Sequence, residues 1–544
     1  MRAEVRRRDL LAGAMVCGTL GACGVLGGCG PAQATPFPGA LLGPDMVRGH
    51  AIRDGKLPGP TGPEEHIPLV IAGGGIAGLA AGWRLAEAGF ADFALFELED
   101  VAGGNARGGA NGVTAFPWGA HYLPIPNREA RALIHMLRGF GMITGQDVQG
   151  APVYDPFQLC ADLEERLLWR GKWQEGLVPT TGLSAQDSAQ WRRFDAAMEV
   201  FRKAVGRDGR AAFASPSALS SRDETYAALD RISFAAWLAQ EAYTAAPLLA
   251  YLRYCTRDDY GSEPAAISAW AGIHYFAGRR GWAADGAGES ELTWPEGNAR
   301  LARLMGGRIG ARLRPRHSVT HVARDGGDVL VDVFDHQAGA ARRIRAQAVV
   351  LAMPDFVARH VAPQFAGASR FSYAPWVVAN VAVSHMPWGP GAGLAWDNVS
   401  STSASLGYVV ANHQTSSAAD GPGVLTWYQA LSEGDPVAVR KGLLARGLGE
   451  WQAIIAADLL SMNPELEGRI ERIDVWRWGH AMVRPTVGFR SDPARAAAQA
   501  MNGPVFRAHS DLSGLSLFEE AHYHGVLAAE RALAHLGRGG ESLL

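Results

Sequence analysis

A glycine-rich turn sets the strongest constraint on how this 544-residue chain can fold. An apolar run at residues 69–72 is followed by Gly73, Gly75 and Gly78, and then by residues that favour a helix. In such a turn the first glycine permits the tight bend, the second lets the backbone approach a phosphate, and the third lets the helix pack closely on the strand. Because a helix N-terminus attracts negative charge, the turn predicts a dinucleotide site.

An acidic residue after the next apolar run strengthens this prediction. Residues 93–96 predict a second strand, and Glu97 follows it about 20 residues past the third glycine, where a carboxylate can bind a ribose hydroxyl. A glycine turn without a ligand is the structural alternative. The agreement of strand, turn, helix, strand and acid makes the nucleotide site the better interpretation.

Composition indicates a large globular protein with more than one domain. The chain is 48% hydrophobic and 19% charged, and its formal net charge is −3. The basic residues are scattered along the chain, so we expect a small-molecule substrate and no nucleic-acid partner. The sequence gives no indication of the oligomeric state.

The first 34 residues resemble an export signal. Arginines at positions 6 to 8 precede Leu10, Leu11 and a weakly apolar run, as in twin-arginine signals, which export proteins already folded around a cofactor. We therefore expect a periplasmic protein, with a chance basic N-terminus on a cytoplasmic protein as the alternative. Cys23 and Cys29 each follow a small-residue pair typical of lipoprotein processing and are candidate lipid anchors, whereas cleavage near Ala34 would leave none.

Only Cys160 and Cys255 remain in the predicted globular part. Their wide separation predicts neither a disulfide framework nor a metal site. From the patterns along the rest of the chain we expect a Pro/Gly-rich tether at 35–66, a mostly helical insert at 128–290, a substrate-domain sheet at 366–480, and a nucleotide-binding domain built from 67–127, 291–365 and 481–544.

Two further stretches predict other parts of the dinucleotide site. Gly103 and Gly104, with Arg107 close behind, form a second glycine loop that can meet a pyrophosphate and supply a positive charge. Near the other end of the chain, a predicted strand leads to Asp511, and a helix beginning at Phe518 can turn its N-terminus toward another part of the ligand.

With these motifs the chain resembles the flavin-containing amine oxidoreductase superfamily, which includes monoamine and polyamine oxidases, protoporphyrinogen oxidase and phytoene desaturases. Further matches are residues 295–301, 352–354, 478–485 and 520–529. The resemblance implies an α/β fold with a Rossmann-like FAD-binding domain of the GR2 type and an α+β substrate domain that carries a helical insert. It implies FAD as the cofactor.

The resemblance also implies roles for individual residues. Glu97 would bind the adenosine ribose, Gly103 and Gly104 would line the pyrophosphate, and Val319 would touch the adenine. Asp511 would bind the phosphate or ribityl chain, and residues around Phe518 and Ala521 would contact the flavin ring. The chain departs from the family pattern at three positions: Asn105 replaces arginine, Glu520 replaces glycine and His524 replaces serine.

Candidate catalytic residues come from three places. Asn380 falls where many amine oxidases of the family carry a lysine that holds a water, and an amide can also hold one. His121, followed by Tyr122, lies in a loop that passes close to the flavin in the family, and support of that loop is its structural alternative. Tyr260 belongs to an acid-rich stretch, 257–263, that suits a cationic amine, although a solvated helix terminus is the simpler interpretation.

These observations favour an exported FAD-dependent oxidoreductase that oxidises a C–N bond of an amine and passes electrons to oxygen or a quinone. Polyamines are one candidate class of substrate. A desaturase or porphyrinogen-type oxidase acting on a hydrophobic molecule is the alternative within the same fold. If the protein is not an enzyme, the alternative is a flavin-binding lipoprotein with a structural or redox-partner role.

Overall fold

The computed structural model describes residues 37–284, 286–366, 371–415 and 421–544. The predicted export signal and the candidate anchors Cys23 and Cys29 lie outside these residues. Within the described ranges, no helix is long and apolar enough to cross a membrane.

The strands, in chain order, are β1 (Leu41–Leu42), β2 (Glu65–His66), β3 (Leu69–Ala72), β4 (Phe93–Phe96), β5 (Gly108–Ala110), β6 (Ala115–Pro117), β7 (Tyr122–Pro124), β8 (Ile143–Gln146), β9 (Pro152–Tyr154), β10 (Glu165–Trp169), β11 (Lys172–Glu175), β12 (Glu291–Thr293), β13 (Leu313–Arg314), β14 (His317–Asp325), β15 (Asp328–Asp335), β16 (Ala340–Ala346), β17 (Ala348–Leu351), β18 (Tyr373–Val383), β19 (Asp397–Ser400), β20 (Tyr408–Val410), β21 (Gly423–Ala430), β22 (Ile470–Val483) and β23 (Val505–Arg507).

The α-helices are α1 (Met46–Arg53), α2 (Ile76–Glu87), α3 (Arg131–Gly139), α4 (Ala185–Lys203), α5 (Glu224–Ala227), α6 (Phe234–Gln240), α7 (Ala246–Tyr260), α8 (Ala269–Ala277), α9 (Ala299–Ile309), α10 (Asp355–Val361), α11 (Pro436–Ala445), α12 (Leu448–Met462), α13 (Pro493–Ala500) and α14 (Phe518–His535).

A buried parallel sheet forms the nucleotide-binding domain. In the described part of the chain its strands lie in the order β13, β4, β3, β17, β23, and each adjacent pair runs parallel. Helices α2, α9 and α14 pack on one face, and a smaller sheet of β14, β15, β16 and β2 packs on the other. Every residue of β3 and β17 is buried, which explains their uninterrupted apolar sequence. The predicted Rossmann-like α/β fold is confirmed.

Three glycines bring backbone against backbone at the start of α2. A Cβ atom on Gly78 would lie 1.9 Å from the carbonyl oxygen of Gly73, so only glycine lets the helix approach its own turn this closely. On the opposite side of α2, a Cβ on Gly525 of α14 would lie 2.2 Å from the carbonyl oxygen of Ala77. Turn, α2 and α14 therefore form one close-packed unit.

The substrate domain is a mixed sheet. Among the described residues its strands lie in the order β1, β22, β18, β21, β20, β19, β10, β11. The central strand β18 is buried along its whole length. Helices α11 and α12 pack against one face, and the aromatic side chains on the other face point toward the helical insert and the nucleotide-binding domain.

Two expectations about the domain boundaries need correction. Residues 37–66, expected as part of an extended tether, pack on the body: β1 pairs with β22, β2 pairs with β16, and the Arg48 guanidinium of α1 donates to the carbonyl of Leu98. The insert at 128–290, expected to be mostly helical, contains four strands before its second helix begins at Ala185. After α3 it forms the hairpins β8–β9 and β10–β11, and β10 joins the substrate sheet beside β19.

We expect Gly525→Ala to lower the free energy of unfolding by about 3 kcal/mol, because the added methyl group would overlap the backbone of α2. Gly442→Ala is the matched control: Gly442 lies inside α11 with open space around its Cα, so alanine should stabilise the protein by about 0.5–1 kcal/mol. Urea unfolding of the two variants measures both effects. Equal stabilities would contradict the close-packing account.

Candidate functional site

A cavity of about 320 Å³ opens beside the glycine turn, at the carboxyl ends of β3, β4 and β17. In open parallel sheets this edge is where ligands bind. The cavity extends from Val319 of β14, past the turn, to the first turn of α14. It brings together most of the residues predicted to bind the cofactor, namely Gly73, Gly75, Glu97, Gly103, Gly104, Val319, Asp511, Phe518 and Ala521.

Two glycine loops meet on the floor of this cavity. The backbone of Gly75 forms a β-bridge with Gly103, and the Gly103 amide donates to the carbonyl of Gly74 at 2.8 Å. Gly103 and Gly104 have positive φ angles of 135° and 56°, and a Cβ on Gly104 would lie 3.2 Å from the Cα of Gly75. The loops present backbone without side chains, which fits a pyrophosphate.

Acidic side chains are fixed at two points of the cavity. The Glu97 carboxylate accepts from the amides of Gly74 at 2.6 Å and Glu99 at 2.8 Å. Burial raises the pKa of Glu97, and the two amides partly offset this rise. A carboxylate oxygen has more than one acceptor position, so Glu97 can also receive a ribose hydroxyl.

Asp511 is held from several directions. Its Oδ2 atom accepts from the Asp355 amide at 2.8 Å and the Tyr373 hydroxyl at 2.6 Å, and its Oδ1 atom lies 3.1 Å from Nδ1 of His509. Burial opposes ionisation of Asp511, but these neighbours together hold its pKa below the usual value.

Two predicted cofactor residues do not line the cavity. Gly78 lies beneath it and acts through packing of α2 on the turn. Arg107 needs a correction: its guanidinium pairs with Glu99 at 2.8 Å and lies over the ring of Trp476. Because Glu99 takes up this charge, Arg107 stabilises the second glycine loop and does not reach into the cavity.

A second cavity of about 120 Å³ adjoins the first and lies between the substrate sheet, the insert and α14. Residues that line both cavities include Asn105, Ala120, Ala481, Ser516, Leu517 and Phe518. The two cavities therefore meet at the beginning of α14. This is the arrangement expected when a cofactor presents its reactive end to a substrate.

Aromatic rings form much of the wall of the second cavity. His121 stacks on Tyr428 with 4.6 Å between ring centroids, and Tyr122, Trp376 and Trp478 complete the wall. Burial lowers the pKa of His121 to about 4, so the imidazole is neutral at pH 7. The structure thus places the predicted residue His121 at the cavity, as an uncharged aromatic and hydrogen-bonding group.

Acidic side chains outnumber basic ones in this cavity. Asp258, Asp259 and Glu519 line it, and Arg279 is the one arginine among its described lining residues. Arg279 donates to Asp259 at 2.7 Å and to the hydroxyl of Tyr122 at 3.2 Å, so its charge is directed at Asp259. Burial, reinforced by neighbouring Asp259, raises the pKa of Asp258 to about 7. A cationic ligand would relieve this excess of negative charge.

Two predicted catalytic residues lie outside both cavities. The Asn380 side chain donates to the Pro117 carbonyl at 3.0 Å and accepts from the Thr426 hydroxyl at 2.7 Å. These two hydrogen bonds join β18 to β6 and β21. Tyr260 is buried in the insert, and its hydroxyl donates to the Ala271 carbonyl at 3.0 Å. Both positions are structural: helical periodicity turns Asp258 and Asp259 to the cavity and Tyr260 to the core.

Arg279 was not anticipated from the sequence, and Glu519 was expected only as part of the segment 518–521 at the flavin ring. Arg279 follows α8 in a segment without a motif, and only the fold brings it to Asp259. Glu519 directly follows Phe518, a residue that was expected at the flavin, so its position in the first turn of α14 could have indicated it.

Residues 71–140 match a family described as an NAD(P)-binding Rossmann-like domain. No curated protein sequence matches the chain. Solved structures do resemble it. Putrescine oxidase, in a structure with putrescine bound, is 15% identical, with a TM-score of 0.63, over 87% of this chain and 100% of its own. The chain therefore shares the fold of this structure.

Two other structures support the same fold. Cyclohexylamine oxidase from Brevibacterium oxydans IH-35A is 17% identical, with a TM-score of 0.61, over 87% of this chain and 100% of its own. A fatty acid isomerase from P. acnes is 15% identical, with a TM-score of 0.57, over 86% of this chain and 99% of its own. Proteins with this fold thus include enzymes named for amines and for a fatty acid.

The raised pKa of Asp258 predicts a pH dependence of stability. Since the folded protein holds this proton up to about pH 7 and the unfolded chain releases it near pH 4, wild-type stability should fall as pH rises between these values. Asp258→Asn removes the effect, so the variant should gain about 2–3 kcal/mol over wild type between pH 5 and pH 8, measured by urea unfolding without amine. Glu175→Gln, at an exposed position, should follow wild type. Parallel curves for wild type and Asp258→Asn would contradict the assignment.

Proposed function

We propose that the protein is an FAD-dependent oxidoreductase that oxidises a C–N bond of an amine. The observation that carries the proposal is the second cavity. Buried Asp259 and Glu519, half-buried Asp258 and one arginine lie among aromatic rings at the point where the nucleotide cavity ends. Buried carboxylates and aromatic faces both favour a cation.

We infer that the first cavity holds FAD. The glycine turn and Glu97 would hold the adenosine half, and the second glycine loop would hold the pyrophosphate. Asp511 and the first turn of α14 lie beyond the phosphates, where a ribityl chain and a ring system would extend. Bound there, FAD would accept two electrons from a carbon atom of the substrate.

The side chains of the second cavity would bind and orient the amine. Asp258 lacks a cationic partner at hydrogen-bond distance among the described residues, so it can pair with an ammonium group. The rings of Tyr428 and Trp376 would hold the carbon chain and exclude water. With two carboxyl groups left unpaired by Arg279, a substrate with a second ammonium group, such as a polyamine, is the leading class.

A desaturase or porphyrinogen-type oxidase acting on a hydrophobic molecule is the second candidate. Many amine oxidases of the family carry a lysine at the flavin, and no lysine is among the described residues that line either cavity, which favours this candidate. The fatty acid isomerase shows that the fold serves an enzyme named for a lipid. Against it, an apolar substrate would leave Asp258 and Glu519 buried without a counter-charge, which costs several kcal/mol if they ionise.

Anaerobic mixing of the purified yellow protein with a panel of mono- and polyamines tests the proposal. We expect loss of the oxidised flavin absorbance with amines, and hydrogen peroxide or reduced quinone when an acceptor is added. Asp258→Asn should raise KM for amines about tenfold or more, whereas Glu175→Gln should leave it unchanged. A flavin reduced by isoprenoids or porphyrinogens and by no amine would identify the second candidate. A flavin reduced by none of them would support a non-catalytic role.

We propose further that the protein is exported through the twin-arginine route and retained on the periplasmic side by lipid on Cys23 or Cys29. Support comes from the arginines ahead of Leu10 and Leu11 and from the small residues before each cysteine. Replacing Arg7 and Arg8 by lysine should leave the protein in the cytoplasmic fraction. Recovery of wild type from the cytoplasm would contradict export, and an unmodified N-terminus after Ala34 would contradict lipidation.

A further inference from the structure

Glu519 separates the second cavity from a small cleft on its other side. The cleft lies between α3 and α14, and Glu519 lines both spaces. The residue is 6% exposed. Among the described residues, no side chain and no backbone amide except its own hydrogen-bonds the carboxylate. A buried acid in this position has no structural partner to explain it.

The cleft has room for about one water molecule. Its volume is about 10 Å³. Nε2 of His522, a residue that also lines the cleft, is buried without a hydrogen-bond partner in the described part of the chain. Arg131, which is exposed, stands at the outer wall. A carboxyl group, a histidine and an exposed arginine that line one water-sized space suit a proton path to solvent.

We propose that Glu519 accepts the proton of the substrate ammonium group and passes it through this cleft to solvent. The proposal rests on the proposed amine oxidation. An N–H bond of the ammonium group breaks, its electron pair stays on nitrogen, and an O–H bond forms on Glu519. The proton then moves to a water in the cleft and on to bulk, which restores the carboxylate. The neutral amine is the form that can release hydride, because its lone pair supports the developing charge on carbon.

The electrostatic surroundings of Glu519 suit this exchange. Burial raises its pKa to about 7, against the opposing effects of its own amide and of Arg279. Charged or titratable groups reach it or line its two spaces from each neighbouring segment: Glu520, His522 and Tyr523 on α14, Asp258 and Asp259 on α7, Arg279 after α8, Glu291 on β12, His121 and Tyr122 near β7, and Glu129 and Arg131 near α3.

The pH dependence of kcat/KM tests the role of Glu519. In wild type kcat/KM should rise as pH increases through about 7, because only the ionised carboxylate accepts a proton. Glu519→Gln should lower kcat/KM about 100-fold at pH 7.5 and keep only the smaller part of the rise that ionisation of Asp258 contributes to amine binding. Glu519→Asp, which keeps a carboxyl group, should recover part of the rise.

Glu520→Gln is the matched control. Glu520 is the next residue of α14, but it lines neither space and accepts hydrogen bonds from Ser217 and Ser513. This variant should be less stable yet keep the rise near pH 7. Infrared difference spectra of the resting protein between pH 6 and pH 8 add a readout independent of turnover. Carboxylic acid absorbance should disappear as pH rises in wild type and in Glu520→Gln, and Glu519→Gln should lack the component that Glu519 contributes while keeping that of Asp258.

The outcomes separate this inference from the proposed function. If wild type oxidises no amine, both fail. If wild type oxidises amines while Glu519→Gln keeps the same pH profile, or if the infrared difference spectrum of Glu519→Gln equals that of wild type, only the role of Glu519 is overturned.

Discussion

Backbone contact between the glycine turn, α2 and α14 is the constraint on which the rest of the structure depends. Gly78 lets α2 rest on the turn, and Gly525 lets α14 rest on α2, so residues more than 400 positions apart become neighbours. This contact places the first turn of α14 at the far end of the nucleotide cavity. Phe518 and Glu519 acquire their positions from it, and the second cavity is closed by the same turn.

Uncompensated negative charge is the second organising feature. Burying a carboxyl group is costly unless a cation or several donors accompany it. Asp511 has such donors and Asp259 has Arg279, whereas in the described part of the chain Asp258 and Glu519 have neither a cation nor several donors. The fold tolerates these two acids because their pKa values are raised to about 7, so both carboxyl groups stay uncharged below that pH in the free protein. A cationic substrate then supplies the missing charge, which links stability, binding and proton transfer in one place.

The sequence predicted the parts of the site that depend on local spacing. The glycine turn, Glu97 and the second glycine loop lie in or directly after one strand–helix–strand unit. Asp511 and Phe518 belong to a second motif near residue 520. Contacts between segments far apart in the chain could not be predicted from the sequence. Whether Asn380 faces a cavity or Pro117 depends on how β18 pairs with its neighbours, and whether Tyr260 or Asp258 faces inward depends on the rotation of α7. Proline and glycine at 35–66 indicated a tether, but within the described residues 37–66 two short strands pair with β22 and β16.

A crystal structure of the purified protein soaked with an unreactive amine tests the central claim most directly. The account predicts a dinucleotide that extends from Val319 to Phe518, its ring system at the junction of the two cavities, and the amine nitrogen within hydrogen-bond distance of Asp258 or Glu519. A ring system elsewhere, or an amine bound away from both carboxyl groups, would contradict it.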